Sequence, residues 1–548
     1  MFQPKLFTTL KHYSKNQFFS DLTAGVIVGI VAIPLAIAFG IASGVSPEKG
    51  LITAIIGGFL ISALGGSRVQ IGGPTGAFIV IIYGIVQKYG LDGLIIATFL
   101  AGFILVVMGF AKFGTAVKFI PHSVIVGFTS GIAVVIFSSE VKDFLGLKIG
   151  AIPVEFIDKW KLFLANLQSV NSYALLIALS TVLIIAVWPR FSRKIPGALV
   201  ALILASALVQ IFHWPVETIG SRFGDLPHAL PVPHFPVLDI KLVQVLIQPA
   251  FTIALLGAIE SLLSAVVSDG MIGGRHRSNM ELVAQGAANI SSAAFGGIPV
   301  TGAIARTVTN IKNGGRTPIA GIIHSFTILV IMFFFGYWIK LVPLACLAGI
   351  LVVVAYHMSE WRSFRDLLKG SRGGILVLLA TFFLTVLVDL TIAIETGMVL
   401  SAFLFLKRMA DATNIHVIAN ELKQDEKEEE DVLETLPLPE GVEIYEINGP
   451  LFFGVVHKFE EATRIVAKKP KVRILRLRNV PIIDSTGLQT LKSFYEKCRN
   501  NRIALIISGI HTQPLHEMVK SNLYDLVGEE NVVPNIKEAL LRAEILLR

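Results

Sequence analysis

Between Ala24 and Leu406 the chain returns again and again to apolar runs long enough to cross a bilayer, and that recurrence limits its fold more than any single motif does. A hydrocarbon core takes roughly 20 apolar residues in helical form, and by that measure about fourteen stretches qualify, several of them short or interrupted by Gly and Pro. Their centres lie near Val31, Ile56, Ile81, Leu100, Val134, Leu179, Leu202, Leu256, Ala288, Val308, Leu329, Gly349, Leu379 and Leu400. With 53% hydrophobic and 16% charged residues, and a mean hydropathy of +0.71, the chain has too little polar surface to be wholly water-soluble. The expected fold class is an α-helical polytopic membrane protein. Charge is sparse up to about Leu406 and dense beyond it, so the 548 residues divide into a membrane part and a soluble part.

The net charge of +8 does not call for nucleic acid, because Lys and Arg lie mainly in short loops between apolar runs. If the N-terminal segment 1–20 is cytosolic, alternate loops bring Arg68, Lys112 with Lys118, Arg190 with Arg193 and Lys194, Arg275 with Arg277, Lys312 with Arg316, and Arg362 to Arg372 to the inside, as the positive-inside rule asks. Two longer excursions, Lys142 to Asn171 and Phe212 to Lys241, then face outward. An even number of crossings returns Lys407 and Arg408 to the cytosol, so both termini are expected there, in a multi-pass protein of the inner or plasma membrane. No short apolar core with a cleavage site precedes the first run. Cys346 lies in an apolar stretch and Cys498 in the tail, with no metal-ligand spacing, so neither a disulfide, a metal nor a cofactor is expected.

Two lead-in segments are wrong for ordinary spanning helices: Gln70-Ile-Gly-Gly-Pro-Thr-Gly-Ala77 and Gly296-Gly-Ile-Pro-Val-Thr-Gly-Ala303. In a series of fourteen they open the third and tenth segments, the same place in each set of seven. A repeat with an odd number of crossings inserts its second copy upside down, so residues about 21–212 and 240–410 are expected to form an inverted repeat. Extended backbone at membrane depth is tolerated only where it lines a cavity inside the protein. Pro74 suits a first-turn position, and Gly76 and Gly302 permit close approach of a ligand. Two half-helix N-termini converging near the midplane favour an anion, and Arg306 adds a full positive charge. The bland alternative is that both segments merely kink tightly packed helices.

Glu260, in Ala254-Leu-Leu-Gly-Ala-Ile-Glu-Ser-Leu-Leu-Ser264, is a carboxylate in the middle of an apolar helix, where ionised groups are costly unless paired or hydrated. Burial favours its protonated form and would make it a proton carrier, whereas a nearby Arg306 favours the carboxylate. Ser264, one turn on, shares its face and is expected to hydrogen-bond an ion or the carboxylate. The alternative is a fixed Glu260–Arg306 pair that ties two helices together. Asp389, Glu395 and Asp269 read as structural.

On these residues the chain resembles the sulfate permease (SulP) family of inorganic anion transporters, along nearly its whole length. The matching stretches are Asp21-Leu-Thr-Ala-Gly25, Ala32-Ile-Pro-Leu-Ala-Ile-Ala-Phe39, Gly73-Pro-Thr-Gly-Ala77, Thr301-Gly-Ala-Ile-Ala-Arg-Thr-Val-Thr-Asn310, Gly314-Gly-Arg-Thr317 and the soluble tail. The resemblance implies a seven-plus-seven inverted repeat split into core and gate domains, a homodimer, and elevator-like transport. It puts the anion site at Thr75, Gly76 and Ala77, at Ala303, Ile304, Ala305 and Arg306, and against Leu35 and Phe39. Many members carry glutamine at the place of Leu35. Members resembling sodium-coupled bicarbonate carriers tend to have aspartate at the place of Glu260, so this glutamate points to coupling by proton rather than sodium. Sulfate is the first expectation for the anion, with bicarbonate or a dicarboxylate next. An uncoupled channel, and a membrane-tethered signalling scaffold, are the competing readings.

Residues 411–440 include the acidic run Glu421-Leu-Lys-Gln-Asp-Glu-Lys-Glu-Glu-Glu-Asp431 and are expected to be a solvated linker. In 441–548, strand-like Val442–Ile447, Val472–Leu477 and Ile503–Ser508 alternate with helical Lys458–Ala467, Thr486–Asn500 and Leu515–Val527, a small α/β domain. It resembles a STAS domain, with Asp484-Ser-Thr-Gly487 at the signature turn. Asp484 is expected to cap the following helix. Ser485 inherits a phosphorylation role by analogy only, and a cytosolic protein partner is implied in the same way. No nucleophile constellation or phosphate-cradling loop is present, so no enzyme is expected.

Overall fold

The computed structural model describes residues 2–115, 120–150, 152–153, 155–191, 196–224, 230–236, 239–418, 438–463 and 470–548. Lys118, Arg193, Lys194, the acidic run 421–431 and the end of the expected helix 458–467 lie outside the described residues. Every one of the expected apolar centres falls inside a helix. Among the described residues nine helices are long and apolar enough to span, and Gly197–Phe212 and Arg372–Leu387 are shorter apolar ones. Ile81 and Leu100 share the helix Ile79–Phe110, which Gly90 bends at φ 70° and ψ −171°, a backbone open to glycine and costly for other residues. Ala288 and Val308 sit in the shorter helices Ser278–Ala294 and Ile304–Lys312.

Glycines set how closely the helices around the lead-in segments approach. A Cβ on Gly102, in Ile79–Phe110, would stand 2.7 Å from the carbonyl oxygen of Gly286 in Ser278–Ala294, and one on Gly286 would stand 2.5 Å from that of Gly102. Small residues of this kind let two backbones meet where no hydrophobic force draws helices together in lipid. The helix Lys15–Ala42 packs in the same way on Pro318–Ile339, where a Cβ on Gly25 would meet the Ala320 carbonyl at 2.5 Å. Asp21 locks these two helices at their ends. Its buried carboxylate accepts from Arg316 N (2.8 Å), Thr317 N (3.2 Å), Thr317 Oγ1 (2.5 Å) and the Tyr13 hydroxyl (3.1 Å). The donors from Arg316 and Thr317 immediately precede Pro318, so an acidic group stands at a helix N-terminus, where the dipole favours it.

The two lead-in segments meet as strands. β1 (Gly72–Gly73) pairs antiparallel with β2 (Thr301–Gly302), Gly72 opposite Gly302 and Gly73 opposite Thr301. Further hydrogen bonds hold the crossing: Ala303 N donates to Ile71 O (2.8 Å), Ile71 N to Thr307 Oγ1 (3.0 Å), Asn310 Nδ2 to Val69 O (2.8 Å), and Thr301 Oγ1 to Gly257 O (2.9 Å). Irregular backbone is stable at this depth because of such pairing.

The chain divides into two compact units, Met1–Ser401 and Ala402–Arg548, with the boundary inside the helix Leu390–Ala412. The second unit holds a five-stranded sheet in the order β3-β4-β5-β6-β7. β3 (Asn414–Ile418) is antiparallel to β4 (Val442–Asn448), and β4, β5 (Val472–Asn479), β6 (Ala504–Ser508) and β7 (Val532–Val533) run parallel. β3 lies within the stretch 411–440 expected to be linker; Asn-Ile-His-Val-Ile carries the β-branched residues of a strand, which the acidic run beside it masked. Alternate side chains cover both faces: Tyr445, Ile447, Leu475 and Leu477 pack with Phe494 on one, and Val442, Ile444 and Ile474 with Leu540 of the terminal helix Ile536–Leu547 on the other.

Candidate functional site

The half-helices that follow β1 and β2 begin at one cavity of about 400 Å³. Leu35, Phe39, Thr75, Gly76, Ala77, Ala303, Ile304, Ala305, Arg306 and Glu260 all line it, so the structure brings together every expected site residue of the membrane part except Ser264. Ser264 is buried away from the cavity, and its hydroxyl donates to Thr307 Oγ1 (3.2 Å) instead of to Glu260. It thereby steadies Thr307, the side chain that holds the Ile71 amide.

Two half-helix N-termini and one guanidinium lie at the cavity. Among the described residues, the amides of Gly76 and Ala77 at the start of the first half-helix, and of Ile304, Ala305 and Arg306 at the start of the second, have no acceptor in the chain. Helix starts leave such donors free, and their dipoles point positive ends at the same place. Arg306 is 2% exposed; its Nη2 donates to Pro74 O (2.7 Å), while Nη1 is buried with no acceptor in the chain. Its guanidinium also lies 6.0 Å from the centre of the Phe39 ring. Facing these is Glu260, whose Oε2 accepts from Thr75 Oγ1 at 2.8 Å. Among the described residues no ion pair within 4.0 Å joins Glu260 to Arg306, although both line the same cavity.

Sequence reasoning missed what seats these groups. A Cβ on Gly73 of β1 would stand 1.9 Å from Arg306 Nη1, and a Cβ on Gly302 of β2 would stand 1.5 Å from Gln70 Nε2. The glycines are therefore sockets, each for a side chain from beside the opposite strand. Gln70 Nε2 in turn donates to Ser261 Oγ (2.8 Å), next to Glu260. The glycine pairs were visible, but nothing in the sequence says which side chain fills the space. His357, in the last turn of Leu344–Met358, and Glu360, just before Trp361–Leu367, also line the cavity; in the sequence they merge into the charged stretch that ends an apolar run.

In the second unit Asp484 caps the helix Ser485–Asn500: Oδ1 accepts from Gly487 N (2.7 Å) and Oδ2 from Phe453 N (3.2 Å). Ser485 is exposed at the first position of that helix.

Comparison with known proteins decides the family. The sequence profile of the sulfate permease family matches residues 18–381. The chain belongs to the sulfate permease family. A STAS domain profile matches residues 435–539. YvdB of Bacillus subtilis (strain 168), provisionally named a sulfate transporter, is 43% identical over 95% of this chain and 97% of its own length. The bicarbonate transporter BicA of Picosynechococcus sp. is 30% identical over 95% of this chain and 94% of its own. The murine Solute Carrier 26 family member A9 anion transporter, solved in an inward-facing state, covers 99% of this chain and 94% of its own at a TM-score of 0.89; at 19% identity that likeness shows the fold. This sulfate permease family member is thus a membrane-embedded anion transporter relative with a C-terminal STAS domain, from a family of transporters rather than enzymes.

Proposed function

We propose that this family member carries a small anion across the cell membrane by proton-coupled secondary active transport, in an elevator-like movement. The observation that carries the reading is the convergence of two half-helix N-termini, Arg306 and Glu260 on one cavity. The free amides hold the anion's oxygens, and the buried Arg306 guanidinium supplies the positive charge behind them. Glu260 takes and gives the proton, with Thr75 positioning it. A proton is preferred to sodium because Ser264 is engaged by Thr307 and offers no oxygen ligand to a metal ion beside Glu260. The names of the relatives supply sulfate and bicarbonate as the anions to test, with dicarboxylates a third class.

What supports an elevator is the make-up of the two walls. The half-helices, Glu260 and Arg306 belong to mutually packed helices that include Lys15–Ala42, Ile79–Phe110, Ser278–Ala294 and Pro318–Ile339. The opposite wall, with Phe128, Thr129 and Val354, comes from His122–Leu145 and Leu344–Met358, which pack on each other. Where the two walls face each other across the cavity, most of the lining is hydrocarbon, from Leu35, Phe39, Leu256 and Ile259 on one side and Phe128 and Val354 on the other. The positive loops support cytosolic termini. A homodimer, and a cytosolic protein partner for the STAS domain around Asp484 and Ser485, complete the proposal.

The test is uptake of radiolabelled sulfate, bicarbonate and fumarate into proteoliposomes with inward proton or sodium gradients, comparing wild type with Glu260→Gln and Arg306→Ala. Accumulation driven by the proton gradient and lost in both variants is expected. Flux indifferent to either gradient and retained in Glu260→Gln would replace the carrier with a channel.

A further inference from the structure

The charged side chains among the described residues lining the cavity are one guanidinium, Arg306, and two carboxylates, Glu260 and Glu360, with His357 beside the latter. Glu360 is unusual in its backbone as well. It sits at φ 42° and ψ 39°, the left-handed region, which glycine enters freely and a glutamate enters at a cost. Contacts on either side fix that turn: Phe364 N donates to Glu360 O (3.0 Å) and Ser130 Oγ to Ser359 O (2.5 Å). The Glu360 side chain is exposed and, among the described residues, makes no hydrogen bond or ion pair. Nothing in the fold therefore asks for a glutamate at a position that favours glycine. Strain kept at a cavity wall points to a use for the side chain.

That use follows from adding the charges. Arg306 contributes one positive charge and each half-helix N-terminus about half of one, while Glu360 contributes one negative charge. With Glu260 protonated the cavity sums to about one positive charge, enough to neutralise a monovalent anion and one short for a divalent anion. Apart from Thr75, Thr129 and His357, the rest of the wall is largely hydrocarbon, from residues such as Phe39, Phe128, Leu256, Ile259 and Val354, so uncompensated charge is penalised. Desolvation scales with the square of the charge, which makes a dianion roughly four times as costly to bring in as a monoanion of equal size. We infer that the cavity accepts monovalent anions and rejects divalent ones, and that Glu360 is the residue that sets the rejection. This rests on the anion-carrier reading and narrows its substrate class.

The experiment uses the purified full-length chain in detergent, with potassium gluconate replaced at constant ionic strength and pH by bicarbonate, nitrate, sulfate or fumarate. Thermal unfolding is followed by tryptophan fluorescence. In wild type, bicarbonate and nitrate should raise Tm with half-saturation on the order of tenfold below that of sulfate and fumarate. Glu360→Gln keeps the left-handed turn and removes the charge; Glu360→Gly removes both charge and strain. Both should bring the dianions to within about threefold of the monoanions. Dianions that act on wild type at concentrations as low as bicarbonate does, or a ratio unchanged in Glu360→Gln, would overturn the inference. Arg306→Ala separates the two levels of the argument: anion effects that persist in it, or no effect of any of the four on wild type, would sink the anion site itself and this inference with it.

Discussion

Thr75 Oγ1 donates a 2.8 Å hydrogen bond to Glu260 Oε2, and so the residue that opens the first half-helix also orients the carboxyl group that faces it across the cavity. A hydrogen bond to a charged group contributes about 1.5–3 kcal/mol, so removing it while keeping shape should slow proton-driven uptake by roughly ten- to a hundredfold. Thr75→Val is expected to do this and Thr75→Ser to restore most of the rate. Equal uptake by Thr75→Val and wild type would mean that Thr75 does not position Glu260.

The glycine sockets give a sharper test. Gly302→Ala forces a methyl group into the Gln70 side chain and Gly73→Ala forces one into Arg306, overpacking that costs about 1–3 kcal/mol each. Both should lower Tm, and Gln70→Ala should rescue Gly302→Ala by vacating the space. A double variant whose loss equals the sum of the single losses would show that Gln70 is not what Gly302 accommodates.

Asp21→Ala strips the acceptor from Arg316 N, Thr317 N, Thr317 Oγ1 and Tyr13 at once, and a loss on the order of 3 kcal/mol is expected in thermal unfolding. A change too small to measure would mean that water satisfies those donors equally well.

The same contact carries a pH dependence. Burial, with the Asp21 carboxylate beside it, pushes the Tyr13 hydroxyl up to about 12. Because the folded value lies above the unfolded value of about 10, the contribution is complete below pH of about 10 and is lost as pH rises through about 12. Tyr13→Phe should flatten that alkaline limb of the Tm profile, and an unchanged limb would assign it to another group.

In the STAS domain, Asp484→Ala leaves the amides of Gly487 and Phe453 without their acceptor, and about 1–2 kcal/mol of local stability should go with it. Hydrogen exchange in the full-length chain should quicken over the first turn of Ser485–Asn500. Ser485→Asp, exposed at a helix N-terminus, should leave that exchange unchanged or slower. Faster exchange in Ser485→Asp would show that the hydroxyl itself supports the cap.

Much of this architecture is legible in the sequence because its strongest constraints are local. Apolar length marks the helices, and the doubled Gly-Gly-Pro and Gly-Ile-Pro punctuation marks the two half-helices and, through them, Thr75 and Arg306. What remained hidden depends on partners distant in the chain. Ser264 shares a helix face with Glu260, yet its hydroxyl goes to Thr307 from another helix, which periodicity alone does not register. β3 is a strand because β4 pairs with it, and its five residues next to an acidic run are too few to announce themselves. Glu360 lies in a charged loop, and only its backbone angles and its place on the cavity wall set it apart.

The sockets at Gly73 and Gly302 fasten the two halves of the membrane unit to each other. The Arg306 guanidinium rests in a gap left by the first half of the membrane unit, and the Gln70 amide rests in a gap left by the second, so each copy of the repeat holds a piece the other cannot do without. A bulkier residue at either glycine is accommodated only if the side chain seated there gives way. The crossing of β1 and β2 therefore makes the two halves a single fitted piece, in which a change of volume on one side has to be matched by the side chain that the other side supplies.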